Sequence, residues 1–211
     1  FRRVLFDLDR YLEPVRKLSV LNDGKGLDYF IPSADYVSAD HLPLTHLHGF
    51  VALVIGARHA TKKLPLWKLQ RLCSLLPLPV ILIGGPEDAA DGLILSAADP
   101  LKIYNGCGKY SLNQSASLVK QSKYVITHDT GFMHIAAAFR KKIISIWGNT
   151  VPEFGMYPYF SNGHMEPGMV ENKKLNCRPC SKIGYEKCPK GHFNCMNQLE
   201  EEHIIAISHT F

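Results

Sequence analysis

The residues from Asp129 to His134 have the types and the spacing that anion binding requires. An acid, a hydroxyl and a glycine stand in a row at Asp129, Thr130 and Gly131, and His134 follows three residues after the glycine. A tight turn of this kind opens a helix, where unpaired N–H groups and the positive end of the helix dipole attract an anion. Gly131 lets the backbone come close to that anion, and His134 falls on the same side of the first helical turn. The pattern predicts a cradle for a diphosphate.

Short apolar strands alternating with helices must position this turn. The predicted strands cover residues 50–55, 79–83, 101–104, 124–127 and 143–147. Helices are predicted from Pro65, from about Glu87, from a Ser111–Gln114 capping box to about residue 121, over 135–139 and over 200–207. The alternation indicates an α/β fold with a doubly wound parallel sheet. Ligands of such sheets bind beyond the carboxyl ends of the strands, which directs attention to the loops 56–63, 84–88, 105–110, 127–134 and 148–156.

The chain divides into three segments by pattern. Residues 1–45 are irregular, with one helix expected over 8–18 and interrupted by Pro14. Residues 46–160 carry the strand–helix alternation, and residues 161–211 form a Cys-rich basic excursion and a final helix. Because residues 1–45 cannot bury a core and the chain starts at Phe1 instead of a methionine, we expect a fragment of a larger protein.

Composition narrows the classes of function. The 211 residues are 46% hydrophobic, which suits one or two globular domains with a core. The net charge of +5 is compatible with an anionic substrate or a membrane surface but too small to indicate nucleic acid. No apolar run approaches the roughly 18–20 residues that span a bilayer, and no signal peptide is evident.

An ordered set of motifs identifies a family resemblance. The motifs are TKKLP (61–65), GGPED (84–88), GKYSL (108–112), THDTGFMHIAAA (127–138) and WGNT (147–150). In order and spacing they resemble the family 9 glycosyltransferases, which are lipopolysaccharide heptosyltransferase-like enzymes. The resemblance covers about residues 46 to 200, the nucleotide-sugar-binding half of these proteins. It implies a Rossmann-like domain of the GT-B architecture, with most of the N-terminal domain absent and residues 1–45 as its end.

The resemblance implies roles for residues in three loops. Lys62 matches a lysine that contacts the donor's phosphates, and Glu87 matches an acid that binds the nucleotide ribose. Tyr110 falls where the family's adenine-contacting loop passes. Each has an alternative: Lys62 and Lys63 as solvated loop charges, Glu87 as an acid that the helix dipole favours, and Tyr110 as a core side chain.

The DTG-x-x-H motif carries the remaining implied roles. Thr130 and Gly131 would present a hydroxyl and N–H groups to the diphosphate, and Asp129 would hold the loop or bind sugar hydroxyls. His134 would donate a hydrogen bond to the leaving phosphate, although a histidine at the start of an Ala-rich helix is usually structural. Arg58 is a further candidate phosphate ligand.

By the same resemblance, the reaction is an inverting sugar transfer that uses no cofactor and no catalytic metal. The donor expected is an ADP-activated heptose, and the acceptor is a lipid A–core glycolipid at the cytoplasmic face of a Gram-negative inner membrane. The general base would be a carboxylate of the N-terminal domain. We therefore expect this chain to bind the donor but to turn over poorly alone.

Four cysteines near the C-terminus form the pattern C-x2-C-x7-C-x6-C, at Cys177, Cys180, Cys188 and Cys195. A structural zinc site, reduced packing thiols and disulfides are all compatible with this spacing. Basic residues surround them: Lys173, Lys174, Arg178, Lys182, Lys187 and Lys190. These form either a solvated basic face or a surface that meets anionic lipid or the glycolipid acceptor.

Two other classes of function stay open. A non-catalytic nucleotide-binding module would bind nucleotide without any transfer, even with the missing half restored. A zinc-stabilised interaction domain built on the cysteines would bind zinc and no nucleotide. A Rossmann dehydrogenase is disfavoured, because no G-x-G-x-x-G follows the first predicted strand.

Overall fold

A parallel six-stranded sheet forms the centre of the molecule. The computed structural model describes residues 7–161 and 168–211. The strands are β1 (Val51–Val54), β2 (Val80–Ile83), β3 (Ile103–Asn105), β4 (Tyr124–His128), β5 (Ile143–Trp147) and β6 (Gly168–Glu171). Their order is β3-β2-β1-β4-β5-β6, and every neighbouring pair is parallel. The doubly wound parallel sheet predicted from the sequence is confirmed.

Helices connect and cover the strands. They are α1 (Asp7–Leu12), α2 (Leu66–Leu75), α3 (Ala89–Ala98), α4 (Leu112–Gln121), α5 (Gly131–Ala138), α6 (Asn194–Asn197) and α7 (Glu201–Ser208). The predicted capping box opens α4: Gln114 N donates to Ser111 Oγ at 3.2 Å, and Ser111 N donates to Gln114 Oε1 at 2.9 Å. Instead of one helix over 8–18, α1 gives way at Leu12 to a 3₁₀ turn over Glu13–Leu18, where Pro14 lacks an N–H. Among the described residues, no helix has both the length and the apolar character that crossing a bilayer needs.

The strands in the middle of the sheet are buried on both faces. Every residue of β1, β2, β4 and β5 is buried, as expected when helices cover both sides of a parallel sheet. One core cluster joins the sheet to α2, α3 and α7, and a second joins its other face to α4 and α5. Residues Val37 and Leu42, from the N-terminal segment, complete the second cluster. The carboxyl ends of the strands are therefore held rigidly where the loops emerge.

The sixth strand departs from the sequence prediction, which assigned residues 161–211 to a Cys-rich basic excursion and a final helix. Residues Gly168–Glu171 pair with β5, from Ile144 opposite Gly168 to Trp147 opposite Glu171. Only Val170 of this strand is fully buried, so it lacks the continuous apolar run that marks the inner strands. A Cβ on Gly168 would stand 2.6 Å from the side chain of Ile207, so α7 packs directly on this edge.

A buried ion pair fastens α7 to α2. Lys68 and Glu201 are 3% and 4% exposed, and Lys68 Nζ lies 2.9 Å from Glu201 Oε1. The same ammonium donates to Leu199 O at 2.5 Å. The pair is satisfied on both sides, which a buried charge requires.

Candidate functional site

Two cavities open at the carboxyl ends of the central strands. The larger one, of about 550 Å³, lies between the loops that follow β1 and β2, and the smaller one, of about 440 Å³, lies beside the loop that follows β4. Arg58 and Thr130 line both. Three of the predicted loops, 56–63, 84–88 and 127–134, thus meet where a parallel sheet binds its ligands.

The amino end of α5 stands where the two cavities meet. The helix starts at Gly131, four residues earlier than the segment predicted from its alanines, so the turn and the helix are continuous. Thr130 precedes it in an extended conformation, and its side chain makes no capping hydrogen bond. Apart from the adjoining residues and the backbone of the helix itself, no atom lies within 4 Å of the position that a Cβ on Gly131 would take. The start of α5 therefore offers an open helix N-terminus at the cavity wall. His134, in the same turn, is half-buried and lines neither cavity.

Lys62 and Asp129 form an ion pair in the smaller cavity. Lys62 Nζ lies 2.7 Å from Asp129 Oδ2, and the two side chains are 13% and 6% exposed. Thr150 donates its hydroxyl hydrogen to the same Oδ2 at 2.9 Å. Since an ammonium has three N–H donors, Lys62 can serve Asp129 and still donate to a ligand in the cavity that it lines.

Lys63 and Asp88 form a second pair in the larger cavity. Lys63 Nζ lies 2.5 Å from Asp88 Oδ1, and Gly85 N donates to Asp88 Oδ2 at 2.9 Å. A Cβ on Gly56 would stand 2.3 Å from Asp88 Oδ2, so this position leaves room only for glycine. The pair joins the loops after β1 and β2. Lys62 and Lys63 both engage buried carboxylates, so the alternative of solvated loop charges is wrong.

Glu87 and Tyr110, both predicted to contact the nucleotide, lie in different surroundings. Glu87 is exposed and lines the larger cavity. Tyr110 packs on the second core cluster, and its hydroxyl lies 3.1 Å from that of Tyr104. Burial, followed by the hydrogen bond to Tyr104, raises the pKa of Tyr110. The tyrosine does not line either cavity.

His128, which the sequence did not single out, links the loops on which the two pairs stand. It is the last residue of β4 and is buried, and Leu64 N donates to its Nε2 at 2.9 Å. Burial and, secondly, the nearby ammonium of Lys63 lower the pKa of His128 to about 3. The ring is therefore neutral at physiological pH and can accept the hydrogen bond that fixes the chain just after Lys62 and Lys63.

The four C-terminal cysteines are free thiols. Cys180 Sγ donates to Cys177 O at 2.8 Å, and Cys177 Sγ lies 3.9 Å from His192 Nε2. Burial raises the pKa of Cys195 to about 11. Within residues 7–161 and 168–211, no three His, Cys, Asp or Glu side chains are grouped as metal ligands. The described residues give the zinc hypothesis no support, and the disulfide alternative is not realised.

Hydrogen bonds attach the cysteine segment to the site. Thr61 N and Thr61 Oγ1 donate to Tyr185 O at 3.1 and 2.9 Å, and Tyr185 N donates to Thr61 Oγ1 at 2.8 Å. Of the surrounding basic residues the five lysines are exposed, but Arg178 is not: its side chain is 4% exposed. Arg178 therefore does not belong to a solvated basic face.

Several residues of the site escaped prediction because their partners are distant in sequence. Asp88 follows Glu87 directly, and nothing in its immediate sequence shows that it is the buried one of the two acids. The only signal was the glycines at 56 and 84, which pack on it in the fold. Asn149, in the WGNT motif, is 2% exposed, and both polar atoms of its side chain have no hydrogen-bond partner among the described residues. Buried amides are usually paired, which sets Asn149 apart, although it lines neither cavity. Its neighbour Thr150 joins the loop after β5 to the site through Asp129.

Comparison with known proteins gives a consistent result. The model of glycosyltransferase family 9 (heptosyltransferase) matches residues 36–185. Lipooligosaccharide heptosyltransferase 2 of Haemophilus influenzae is 31% identical over 177 residues, which are 82% of this chain and 45% of that protein. Lipopolysaccharide heptosyltransferase 2 of Escherichia coli is 30% identical over 79 residues, 36% of this chain and 23% of that protein. The chain thus spans less than half the length of these relatives.

Solved structures confirm the fold class. The E. coli ADP-heptose heptosyltransferase II superposes with a TM-score of 0.63 at 17% identity, over 87% of this chain and 52% of that chain. A family 9 glycosyl transferase of Veillonella parvula superposes with a TM-score of 0.74 at 19% identity, over 100% of this chain and 60% of that chain. The described sheet and helices have the α/β fold of these GT-B proteins.

Proposed function

The chain belongs to glycosyltransferase family 9, and on that premise we propose that it supplies the donor site of an inverting heptosyltransferase. The donor is a nucleoside diphosphate sugar, with ADP-heptose as the first candidate, because the two named relatives are heptosyltransferases and one of the superposed structures is an ADP-heptose heptosyltransferase. The acceptor is the core of a lipopolysaccharide. The alternatives are a module that binds nucleotide without transfer and a zinc-stabilised interaction domain.

One observation carries this proposal: the two cavities meet at Thr130, beside the open N-terminus of α5. A nucleoside diphosphate sugar has two bulky ends joined by a diphosphate. We place the nucleoside in the larger cavity, the sugar in the smaller one, and the diphosphate on the Thr130–Gly131 turn between them. A helix N-terminus at that point suits the charge of the diphosphate.

Glu87 and Asp129 then serve the two ends of the donor. The exposed carboxylate of Glu87 accepts hydrogen bonds from the ribose hydroxyls in the larger cavity. Asp129 accepts hydrogen bonds from sugar hydroxyls in the smaller one, while Thr150 and Lys62 hold it in place. Tyr110 reaches the adenine only if its loop shifts, because its ring now packs against the core. We therefore propose a supporting role for Tyr110.

The chain's contribution to the chemistry is stabilisation of the leaving group. The acceptor oxygen forms a bond to the anomeric carbon as the bond from that carbon to the phosphate oxygen breaks. The electron pair of the broken bond leaves with the diphosphate, where Lys62, the N-terminus of α5 and His134 meet the added charge; Arg58 is a further candidate cation. Groups that are already oriented toward developing charge are the largest source of catalysis of this kind, and we propose that they act here without a metal.

The proton of the acceptor hydroxyl needs a general base. Because the chain spans less than half the length of its heptosyltransferase relatives, we assign that base to the part of the enzyme that this chain does not cover. The chain alone then binds the donor without appreciable transfer. Robust heptose transfer by the chain would show that the base lies within it.

Calorimetric titration of the chain with ADP, UDP, GDP and NAD tests the donor assignment. We expect ADP to bind more tightly than the other nucleotides. Tighter binding of UDP or GDP would keep the transferase proposal and change the nucleotide of the donor. Nucleotide binding by a sample that takes up no stoichiometric zinc would refute the zinc-stabilised domain. Binding that never leads to transfer, even in a chain extended by an acceptor domain, would favour the non-catalytic module.

We also propose that the basic segment 173–192 faces an anionic membrane, at the cytoplasmic side of the inner membrane where the acceptor would be. The exposed charges of the segment are five lysines and one glutamate, a net of +4; its sixth basic residue, Arg178, is buried and paired with Glu171. Ile183 and Tyr185 are 62% and 44% exposed among these lysines. Anionic lipid attracts about 1 kcal/mol per basic side chain near its surface.

Sedimentation with vesicles that contain anionic phosphatidylserine measures this interaction. Replacing Lys182, Lys187 and Lys190 with glutamine removes three exposed charges and should weaken binding by about 100-fold, given about 1 kcal/mol for each. The matched control replaces three exposed lysines outside the segment: Lys17, Lys25 and Lys123. Equal losses of vesicle binding in the two triple variants would show that only the net charge of the protein matters and would refute a specific membrane-facing surface.

A further inference from the structure

Arg178 closes the carboxyl ends of the last two strands. The guanidinium group is buried and donates hydrogen bonds to four backbone carbonyls: Gly148 O from Nε at 2.5 Å, Asn172 O from Nη1 at 2.8 Å, and Thr150 O and Trp147 O from Nη2 at 2.9 and 3.3 Å. Its Nη2 also lies 3.1 Å from Glu171 Oε2, in a pair whose side chains are 4% and 6% exposed. All three nitrogens of the side chain are therefore committed to the end of β5, the end of β6 and the loop after β5.

We call this set of hydrogen bonds from Arg178 the Arg178 clamp, and a short series of contacts leads from it to the donor site. Thr150, whose carbonyl accepts from Arg178, donates its hydroxyl hydrogen to Asp129 Oδ2 at 2.9 Å. Asp129 pairs with Lys62 at 2.7 Å and precedes the open turn of α5. A second bond from the same segment, Cys180 N to Asn149 O at 3.1 Å, holds the residue before Thr150.

We infer that Arg178 is a positioning residue for the donor site, acting through Thr150 on Asp129 and thereby on Lys62. The expected loss of donor affinity rests on the proposed function. The positioning of Asp129 and Lys62 by Arg178 does not depend on it. Arg178 belongs to the cysteine segment and touches neither cavity. The role assigned to the segment is thus to hold the loop after β5 against the anion-binding turn.

The shape of the side chain explains why arginine stands here. Guanidinium is planar and carries five N–H donors in a fixed fork, whereas the ammonium of lysine is a point charge with three donors. Lysine can keep the charge beside Glu171 but cannot reach four carbonyls in two strands and a loop at once. Arg178→Lys therefore preserves the charge beside Glu171 and loses most of the hydrogen bonds of the Arg178 clamp.

Hydrogen exchange, followed by mass spectrometry on the ligand-free chain, tests the structural part. In Arg178→Lys we expect the hydrogen-bonded amides within residues 127–134 and 148–150 to exchange at least tenfold faster, with β1 and β2 unchanged. Thr150→Val, which removes only the hydroxyl bond to Asp129, should accelerate residues 127–134 alone. Because both variants break the same path, the double variant should exchange there no faster than the faster single variant.

Lys68→Met is the matched control, because it breaks a buried ion pair that fastens α7 to α2 and does not line the cavities. It should loosen α2 and α7 and, because its lower global stability acts on the whole sheet alike, accelerate residues 127–134 no more than β1 and β2. Exchange over 127–134 that is unaltered in Arg178→Lys, or that rises evenly throughout the sheet, would overturn the inference.

Titration with ADP separates this inference from the proposed function. We expect at least a tenfold loss of affinity in Arg178→Lys and Thr150→Val and none in Lys68→Met. An unchanged chain that binds no nucleotide would refute the proposed donor site, while the exchange pattern would still decide whether Arg178 positions the turn. ADP affinity retained in Arg178→Lys would overturn the positioning role.

Discussion

His128→Gln should make the stability of the protein less sensitive to acid. In the folded chain the buried imidazole accepts a hydrogen bond from Leu64 N through Nε2. The side-chain carbonyl of glutamine can accept the same bond and has no proton to gain between pH 5 and 8. The substitution therefore keeps the contact that fixes the loop after Lys62 and Lys63 and removes the titration.

The size of the effect follows from the lowered pKa. Burial lowers the pKa of His128 from 6.5 to about 3 in the folded chain. Between these values the unfolded chain binds a proton that the folded chain does not, so the free energy of unfolding falls as the pH falls. The full stability is present above pH 6.5 and, at about 1.36 kcal/mol per pH unit, about 2 kcal/mol is lost by pH 5.

Urea unfolding at pH 8, 7, 6 and 5, followed by the fluorescence of the buried Trp147, measures this loss. His128→Gln should lose about 2 kcal/mol less than the unchanged chain between pH 8 and 5. Some pH dependence should persist, because burial also lowers the pKa of His46. The control, His203→Gln, alters an exposed histidine and should keep the full loss. Parallel curves for His128→Gln and the unchanged chain would show that the pKa of His128 is the same in the folded and the unfolded chain, contrary to the buried acceptor described here.

Three further substitutions separate stability from binding. Gly131→Ala should raise the free energy of unfolding by about 0.5–1 kcal/mol, as alanine does in a helix, because its Cβ meets no side chain or distant backbone within 4 Å. The ADP affinity measured by calorimetry should nevertheless fall at least tenfold. Unchanged affinity would refute the placement of the diphosphate on this turn. Lys68→Met should cost about 3–5 kcal/mol in urea unfolding by leaving Glu201 buried without its cation, with ADP affinity intact; a cost below about 1 kcal/mol, typical of an exposed pair, would show that the pair is solvated. Glu87→Gln should change the free energy of unfolding by less than about 0.5 kcal/mol, since the residue is exposed. It should weaken the binding of ADP but not that of inorganic pyrophosphate. Equal losses of affinity for both ligands would assign Glu87 to the phosphates and not to the ribose.

The inner sheet could be predicted from the sequence because its strands are buried on both faces. Such strands are continuous apolar runs, and VALV, VILI and IISIW are visible without any knowledge of their neighbours. The edge strand β6 gives no such signal, since GMVE contains a glycine and an exposed methionine and becomes a strand only by pairing with β5. The start of α5 at Gly131 was also hidden, because glycine and threonine are weak helix formers and tertiary contacts decide where the helix begins.

Local motifs predicted the turn that opens a helix at Thr130 and Gly131, whereas the residues that hold this turn in place required the fold. Thr130 and Gly131 occupy the N-terminus of α5, as their types and spacing indicate. The partners of Lys62 and Lys63 lie 67 and 25 residues away, at Asp129 and Asp88, so pairing could not be inferred from spacing. Arg178 stood among lysines and looked solvated, and only the meeting of two strand ends shows why it is buried.

The most direct test of the central claim is an NMR titration of the ¹⁵N-labelled chain with ADP, with adenosine as the control ligand. If the diphosphate lies on the open N-terminus of α5, ADP should produce its largest amide shifts at Thr130, Gly131 and Phe132, and adenosine should leave these amides unmoved while shifting Gly85. Shifts that are equal for the two ligands, or that fall outside the loops after β1, β2 and β4, would contradict the placement of a nucleoside diphosphate sugar at this site.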